Sequence, residues 1–167
     1  MRKTKFIAEY IGTITITNGV IDATDPRSNN LNTGRVNDIK ICNGDYECYA
    51  VYETREPNHV ARCRLVLDDK KTMKKVLRDM FWREYSPNVG VDSGIAGFFV
   101  NKPDFDDEEW NKFCDDFDDN SHKFIYENSK GDSFGFCTES GYGNGIYSVG
   151  AIRNDEGEIT ALEIRFL

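Results

Sequence analysis

The chain has no apolar run near the roughly 18 residues that a bilayer-spanning helix needs, which excludes an ordinary membrane helix. The basic opening, Met1-Arg2-Lys3-Thr4-Lys5, is not followed by the apolar core of a secretory signal. Histidine is scarce: His59 and His122 have no identifiable partners, so no Ser/His/Asp or Cys/His arrangement can be argued. The five cysteines (Cys42, Cys48, Cys63, Cys114, Cys137) form no C-x-x-C pair. Odd in number and set partly in apolar alternation, they read as free thiols of a reducing compartment, and the expected location is cytoplasmic. Neither a zinc site nor any cofactor is expected, and no catalytic residue is assigned.

Aromatic residues, by contrast, are plentiful. They make up 13% of the chain, which argues for a folded core although 30% of residues are charged. The expectation is one domain over 1–167. The net charge of −8 is local: residues 104–119 hold nine acids and Lys112, and the remainder sums to zero. Residues 70–83 carry six basic side chains against Asp79 alone.

Residues 11–17 alternate as a half-buried strand does, and Asn18-Gly19 then signals a hairpin returning through 20–23. Thr24-Asp25-Pro26 marks a turn, and 27–37 reads as a polar loop. Further strands are expected at 38–42, 46–53 and 59–67, with a Gly44-Asp45 turn between the first two. Met73, Val76, Leu77, Met80 and Phe81 have helical spacing, which predicts about three turns, capped by Thr72 and ended before Pro87. Strands follow at 89–92 and 95–100, then an acidic helix, then strands at 122–128, 133–138, 145–152 and 159–166. Asp155-Glu156-Gly157 is read as the hairpin joining the last two. The predicted class is α+β: a mostly antiparallel sheet of about 8–11 strands with two amphipathic helices.

On the acidic helix, Trp110, Phe113, Cys114 and Phe117 share one face. Asp106 and Glu109 have capping-box spacing. Asp115, Asp116, Asp118 and Asp119 crowd a helix end that is already partly negative, at a cost of about 0.3–1 kcal/mol each at low salt. Local stability does not select that arrangement. A solvated face, or pairing with the basic helix, is the bland explanation. The functional one makes Glu108, Glu109, Asp115, Asp116, Asp118 and Asp119 a docking face for a basic partner, with direct nucleic-acid binding disfavoured by repulsion. Asp116, Asp118, Asn120, His122 and Glu127 also fall at EF-hand ligand positions, but Ser121 stands where that loop needs glycine.

Two glycine-bearing segments, Val91-Asp92-Ser93-Gly94 and Ser140-Gly141-Tyr142-Gly143-Asn144-Gly145-Ile146-Tyr147, suit sharp turns or close approach of a ligand. With no G-K-[ST] and no helix following, neither is a phosphate loop. Asp92, Ser93, Gly141, Gly143, Asn144 and Tyr147 are the candidate ligand-binding residues. The Asp25-Pro26 turn, the V-D-S-G segment and S-G-Y-G-N-G-I-Y resemble a family of bacterial and mobile-element proteins of unknown function, whose members carry a D-P turn, V-D-x-G and S-G-x-G-D-G-x-Y. The resemblance is strongest over 140–166, and Asn144 departs from the family's aspartate. It implies a fold and little about activity.

Three functions are therefore open. The first is a non-enzymatic, inhibitory or immunity-type protein docking on a basic partner, for example a nuclease or a phage-defence complex that it neutralises. The second is a small-ligand or nucleotide module. The third is a metal-assisted nuclease using Asp25, Asp92 and Asp132.

Overall fold

The structure is a computed structural model that describes residues 5–27 and 35–167. Most of the expected loop at 27–37 and residues 1–4 of the basic opening lie outside the described residues.

The strands are β1 (Phe6–Ile16), β2 (Val20–Thr24), β3 (Val36–Lys40), β4 (Gly44–Glu53), β5 (Glu56–Leu67), β6 (Arg83–Val91), β7 (Ile95–Val100), β8 (Lys123–Glu127), β9 (Phe134–Glu139), β10 (Gly145–Arg153) and β11 (Ile159–Arg165). The helices are α1 (Lys70–Val76) and α2 (Asp107–Asp119). One sheet has six strands in the order β1-β4-β5-β11-β10-β6, the other five in the order β3-β2-β7-β9-β8. Every pairing is antiparallel. The predicted class holds, with strand the dominant component.

Side-chain alternation assembles the layers. On β7, Ala96, Phe98 and Val100 face the other sheet, while Ile95 and Phe99 face α2. On β11, Leu162 and Ile164 point into the inter-sheet core, and Ala161 points out beneath Trp82. The order is therefore α1, six-stranded sheet, five-stranded sheet, α2. Strands covered on both faces read as unbroken apolar runs, and all six residues of β7 are buried. No helix among the described residues is long and apolar enough to cross a membrane.

Three local expectations are corrected. Asn18-Gly19 does not close a hairpin, because β1 pairs with β4 and β2 pairs with β3 and β7. The chain changes sheets there, and it changes back between β3 and β4. The two crossings are stitched together, Gly19 N donating to Asn43 Oδ1 at 2.7 Å and Ile41 N to Gly19 O at 3.0 Å. For the same reason Gly44-Asp45 is no turn; both residues open β4.

The basic helix is shorter and earlier than its spacing predicts. Its cap is Asp69, whose carboxylate accepts from Lys71 N and from the hydroxyl of Thr72, a residue buried inside the first turn. A single 3-10 turn follows at Asp79–Phe81. Leu77 and Met80 are left exposed, at 86% and 63%, while Trp82 goes into the sheet surface instead. Residues 83–88, missed as strand because of Pro87, belong to β6. That strand is the sheet's edge, where a proline costs no ladder bond. The Asp155-Glu156-Gly157 hairpin is present between β10 and β11, with Gly157 at a φ of 82°.

Candidate functional site

Asp106 caps α2: its carboxylate accepts from Glu109 N at 2.7 Å, and Glu109 returns a carboxylate to Asp106 N at 3.5 Å. The apolar face is anchored by stacked and tilted rings. Phe113, 1% exposed, lies 5.1–5.4 Å by centroid from Phe105, Trp110, Phe124 and Tyr126, and Phe117 continues the row. The charged face is spent little on the protein itself. Arg27 meets Asp107 at 3.1 Å and stacks on Trp110, and His122 meets Asp118 at 3.0 Å. Among the described residues, Glu108, Asp115, Asp116 and Asp119 have no ion-pair partner. Pairing with the basic helix does not occur, since α1 and α2 cover opposite outer faces and Lys71 and Lys75 turn toward Asp155.

Beyond Asn120 the chain takes two successive left-handed residues, Ser121 at a φ of 59° and His122 at 64°. Side chains rarely adopt that conformation, so tertiary contacts hold it. It swings the His122 ring flat against Phe117, 5.3 Å away by centroid. Nε2 then faces Asp118 and Nδ1 lies 3.5 Å from Glu139 Oε2. The EF-hand reading fails here, because Asp116 and Asp118 belong to α2 and Glu127 ends β8. No group of three or more His, Cys, Asp or Glu among the described residues is placed to hold a metal ion.

A groove of about 490 Å³ opens at this end of α2. It brings Asp118 and Cys114 together with Ser93, Gly141 and Gly143, and adds His59, His122, Glu139 and Tyr142. Both histidines of the chain thus line one groove. His59 Nδ1 is 3.1 Å from Gly141 O; a carbonyl only accepts, so Nδ1 is the donor in this bond. Tyr142 lies over the His59 ring at 4.3 Å. The Cys114 thiol is pushed up by burial and by Asp118 and Asp115, which keeps it protonated and a poor nucleophile. The Ser93 hydroxyl donates to Asp25 Oδ1 at 2.7 Å, not to a histidine.

The Asp25-Pro26 turn, the V-D-S-G segment and the glycine-rich segment meet behind this groove. Asp25, 1% exposed, accepts from Arg27 N, Asp92 N, Ser93 N and Ser93 Oγ at 2.7–2.8 Å. Ser140 N donates to Gly94 O at 3.0 Å, joining the third segment to the second. Gly141 has a φ of 60°, and a Cβ there would stand 3.0 Å from Phe166 Cβ, so both conformation and space call for glycine. The three motifs form one hydrogen-bonded knot.

Of the other candidate ligand-binding residues, Asp92 and Asn144 are exposed and their side chains make no hydrogen bond among the described residues. Tyr147 turns beneath the loop: its hydroxyl reaches Ser140 O and Gly143 O at 3.2 and 2.5 Å, and its ring meets Phe166 edge-on. Tyr147→Phe is expected to cost about 1 kcal/mol in urea unfolding, the net worth of one such bond. Asp132 lies beside Asn101, at the far end of β7 from Asp25 and Asp92, about 20 Å along the strand. Those three aspartates do not share a site. Glu109 and Asp116 line a second groove of about 720 Å³ with Lys102, Lys112, Lys130 and Asp132, where the signs are mixed.

His59, His122, Glu139 and Tyr142 were not legible as site residues. His59 lies on β5, His122 in the turn after α2, and Glu139 and Tyr142 at the end of β9 and just beyond it, so only the fold unites the three places. Compared with protein-family models, with curated proteins and with solved structures, the chain matches none.

Proposed function

We propose that this domain is a non-enzymatic docking protein that presents α2 to a basic protein surface, in the manner of an inhibitor or immunity protein. The observation that carries this reading is the contrast between the two faces of α2. One is locked into an aromatic cluster, while the other leaves Glu108, Asp115, Asp116 and Asp119 without internal ion pairs among the described residues. A rigid, concentrated charge steers association and limits the ordering entropy lost on contact. The groove at the helix end extends the surface: Asp118 and Glu139 near the exposed ring of Tyr142 suit an arginine or lysine of the partner. A partner whose basic groove normally holds nucleic acid, such as a nuclease or a component of a phage-defence complex, fits this chemistry.

The test compares wild type with a variant carrying Asp→Asn at 115, 116, 118 and 119, each used to capture partners from lysate at low and moderate salt. Removing four like charges from the C-terminal end of α2 should leave the fold as stable as before or slightly more so. Capture should fall about tenfold or more in the variant, and in wild type as salt rises. Equal capture by both proteins would overturn the docking reading.

A second reading is favoured by the convergence of Ser93, Gly141 and Gly143 with both histidines: the groove holds a small ligand. A ligand-induced rise in Tm, lost when Gly143 is made bulky, distinguishes it from docking.

A further inference from the structure

Across the molecule from α2, the outer face of the six-stranded sheet holds three arginines around one glutamate. Arg62 and Arg64 lie on β5, four and two residues before Val66; Glu163 and Arg165 lie on β11, two and four residues after Ala161. Val66 and Ala161 pack outward beneath Trp82, so all four side chains share that outer face. Glu163 is fully buried. Its Oε1 accepts from Arg62 Nη1 and Arg165 Nε and its Oε2 from Arg64 Nε, each at 2.8 Å, and Arg64 Nη2 is in ion-pair contact with Oε2 at the same distance.

One carboxylate cannot neutralise three guanidinium groups, and this cluster keeps an excess of two positive charges in a largely desolvated place. Burial lowers the Arg62 pKa even with Glu163 beside it. Arg62 Nε is buried without a partner, and the Nη nitrogens of Arg165 and Nη2 of Arg62 make no hydrogen bond to another described residue. The guanidiniums are nonetheless held in place: Arg62 stacks on Phe6 at 4.3 Å and Arg64 on Trp82 at 5.1 Å. Arg165 lies over Gly150, where a Cβ would come within 2.8 Å of its Nη2. Arg165 is also the most open of the three, its side chain 30% exposed. The lysines of α1 add to the positive field, since α1 packs on the same face through Met73 and Val76.

We propose that Arg62, Arg64 and Arg165 form a binding site for a dianionic phosphoryl group, free or as a monoester, entering beside Arg165. Its oxygens take up the unused guanidinium N–H groups, and its two charges bring the cluster to neutrality. Guanidinium forks suit tetrahedral oxyanions in this way. The site is independent of the acidic helix, so its failure and that of the docking reading are separate results.

Calorimetric titration of the intact protein with inorganic phosphate, at a pH where the dianion dominates and at low ionic strength, tests the site. Saturable one-to-one binding is expected. Arg165→Gln should weaken it by about tenfold or more through loss of a charged fork. Gly150→Ala should weaken it without changing any charge, by displacing the Arg165 guanidinium. Glu163→Gln should tighten it, because the competing carboxylate becomes a neutral amide; a merely structural cluster predicts no such gain. Lys74→Gln, which removes a charge of α1 but no contact of the cluster, should weaken it far less than Arg165→Gln does. A parallel titration with a nucleoside monophosphate separates the sources: tighter binding than phosphate assigns an ester, weaker binding assigns the free anion. Where a variant unfolds too readily for calorimetry, the phosphate-induced rise in Tm replaces the heat. No saturable binding to wild type, or equal binding by wild type, Arg165→Gln and Gly150→Ala, would overturn the proposal.

Discussion

Replacing Asp25 by alanine is expected to remove about 3–5 kcal/mol of unfolding free energy, enough to threaten a domain of ordinary stability. The figure follows from what the carboxylate does. It is 1% exposed and accepts from three backbone N–H groups and one hydroxyl. Alanine leaves all four donors without their acceptor. The Ser93 hydroxyl can turn toward Ile95 O, at 3.4 Å, but the N–H groups are fixed by the chain. Water reaching the more open Asp92 and Arg27 recovers part of the loss, which keeps the total below the sum of four buried orphans. Asp25→Asn should cost less, about 2 kcal/mol, because one oxygen still accepts while the new NH2 faces donors. Urea denaturation with an unchanged slope reads both values. An alanine variant that loses under about 1 kcal/mol would show that the knot is not a stabilising element.

Asp25 also shows where sequence reading stops. A carboxylate next to a proline break is as good a metal-ligand candidate as a structural acceptor until its neighbours are known, and Asp92 and Ser93 approach it from 67 residues away or more. The strands were legible wherever burial has a simple period: alternation in residues 11–17, and an unbroken apolar run in β7 covered on both faces. The anchored acidic helix was legible too, since Phe113 and Phe117 have helical spacing and Asp106 and Glu109 carry their own capping chemistry. Sheet membership was not. Asn18-Gly19 reverses the chain locally, but which strand β2 pairs with is decided by residues 36–40 and 97–99. The basic helix misled for a related reason: Leu77 and Met80 keep helical spacing yet meet no surface, and Trp82 fills the place instead. The place of His122 in the groove depends on the left-handed pair Ser121-His122, a conformation that neither residue type announces.

The other large effect is expected at Glu163. Glu163→Ala removes the only carboxylate in ion-pair contact with these three arginines among the described residues, leaving guanidiniums packed against Phe6, Trp82 and Gly150 with only the more distant charge of Asp79 acting on Arg62. Breaking a buried ion pair from one side costs about 3–5 kcal/mol, because the remaining charge keeps its desolvation penalty and loses its compensation. Two features mark this loss as a buried-charge effect. It should change little with ionic strength, since buried pairs are screened far less than surface ones, whereas capture by the α2 face should fall steeply with salt. It should also shrink when positive charge leaves with the negative: Arg62→Met combined with Glu163→Leu substitutes packed apolar groups for part of the cluster and should lie well above Glu163→Ala in stability. Phosphate gives a third handle. If the cluster binds the dianion, the anion supplies the lost negative charge, and saturating phosphate should raise the Tm of Glu163→Ala more than that of wild type. Equal phosphate effects on the two proteins would return Glu163 to a purely structural role.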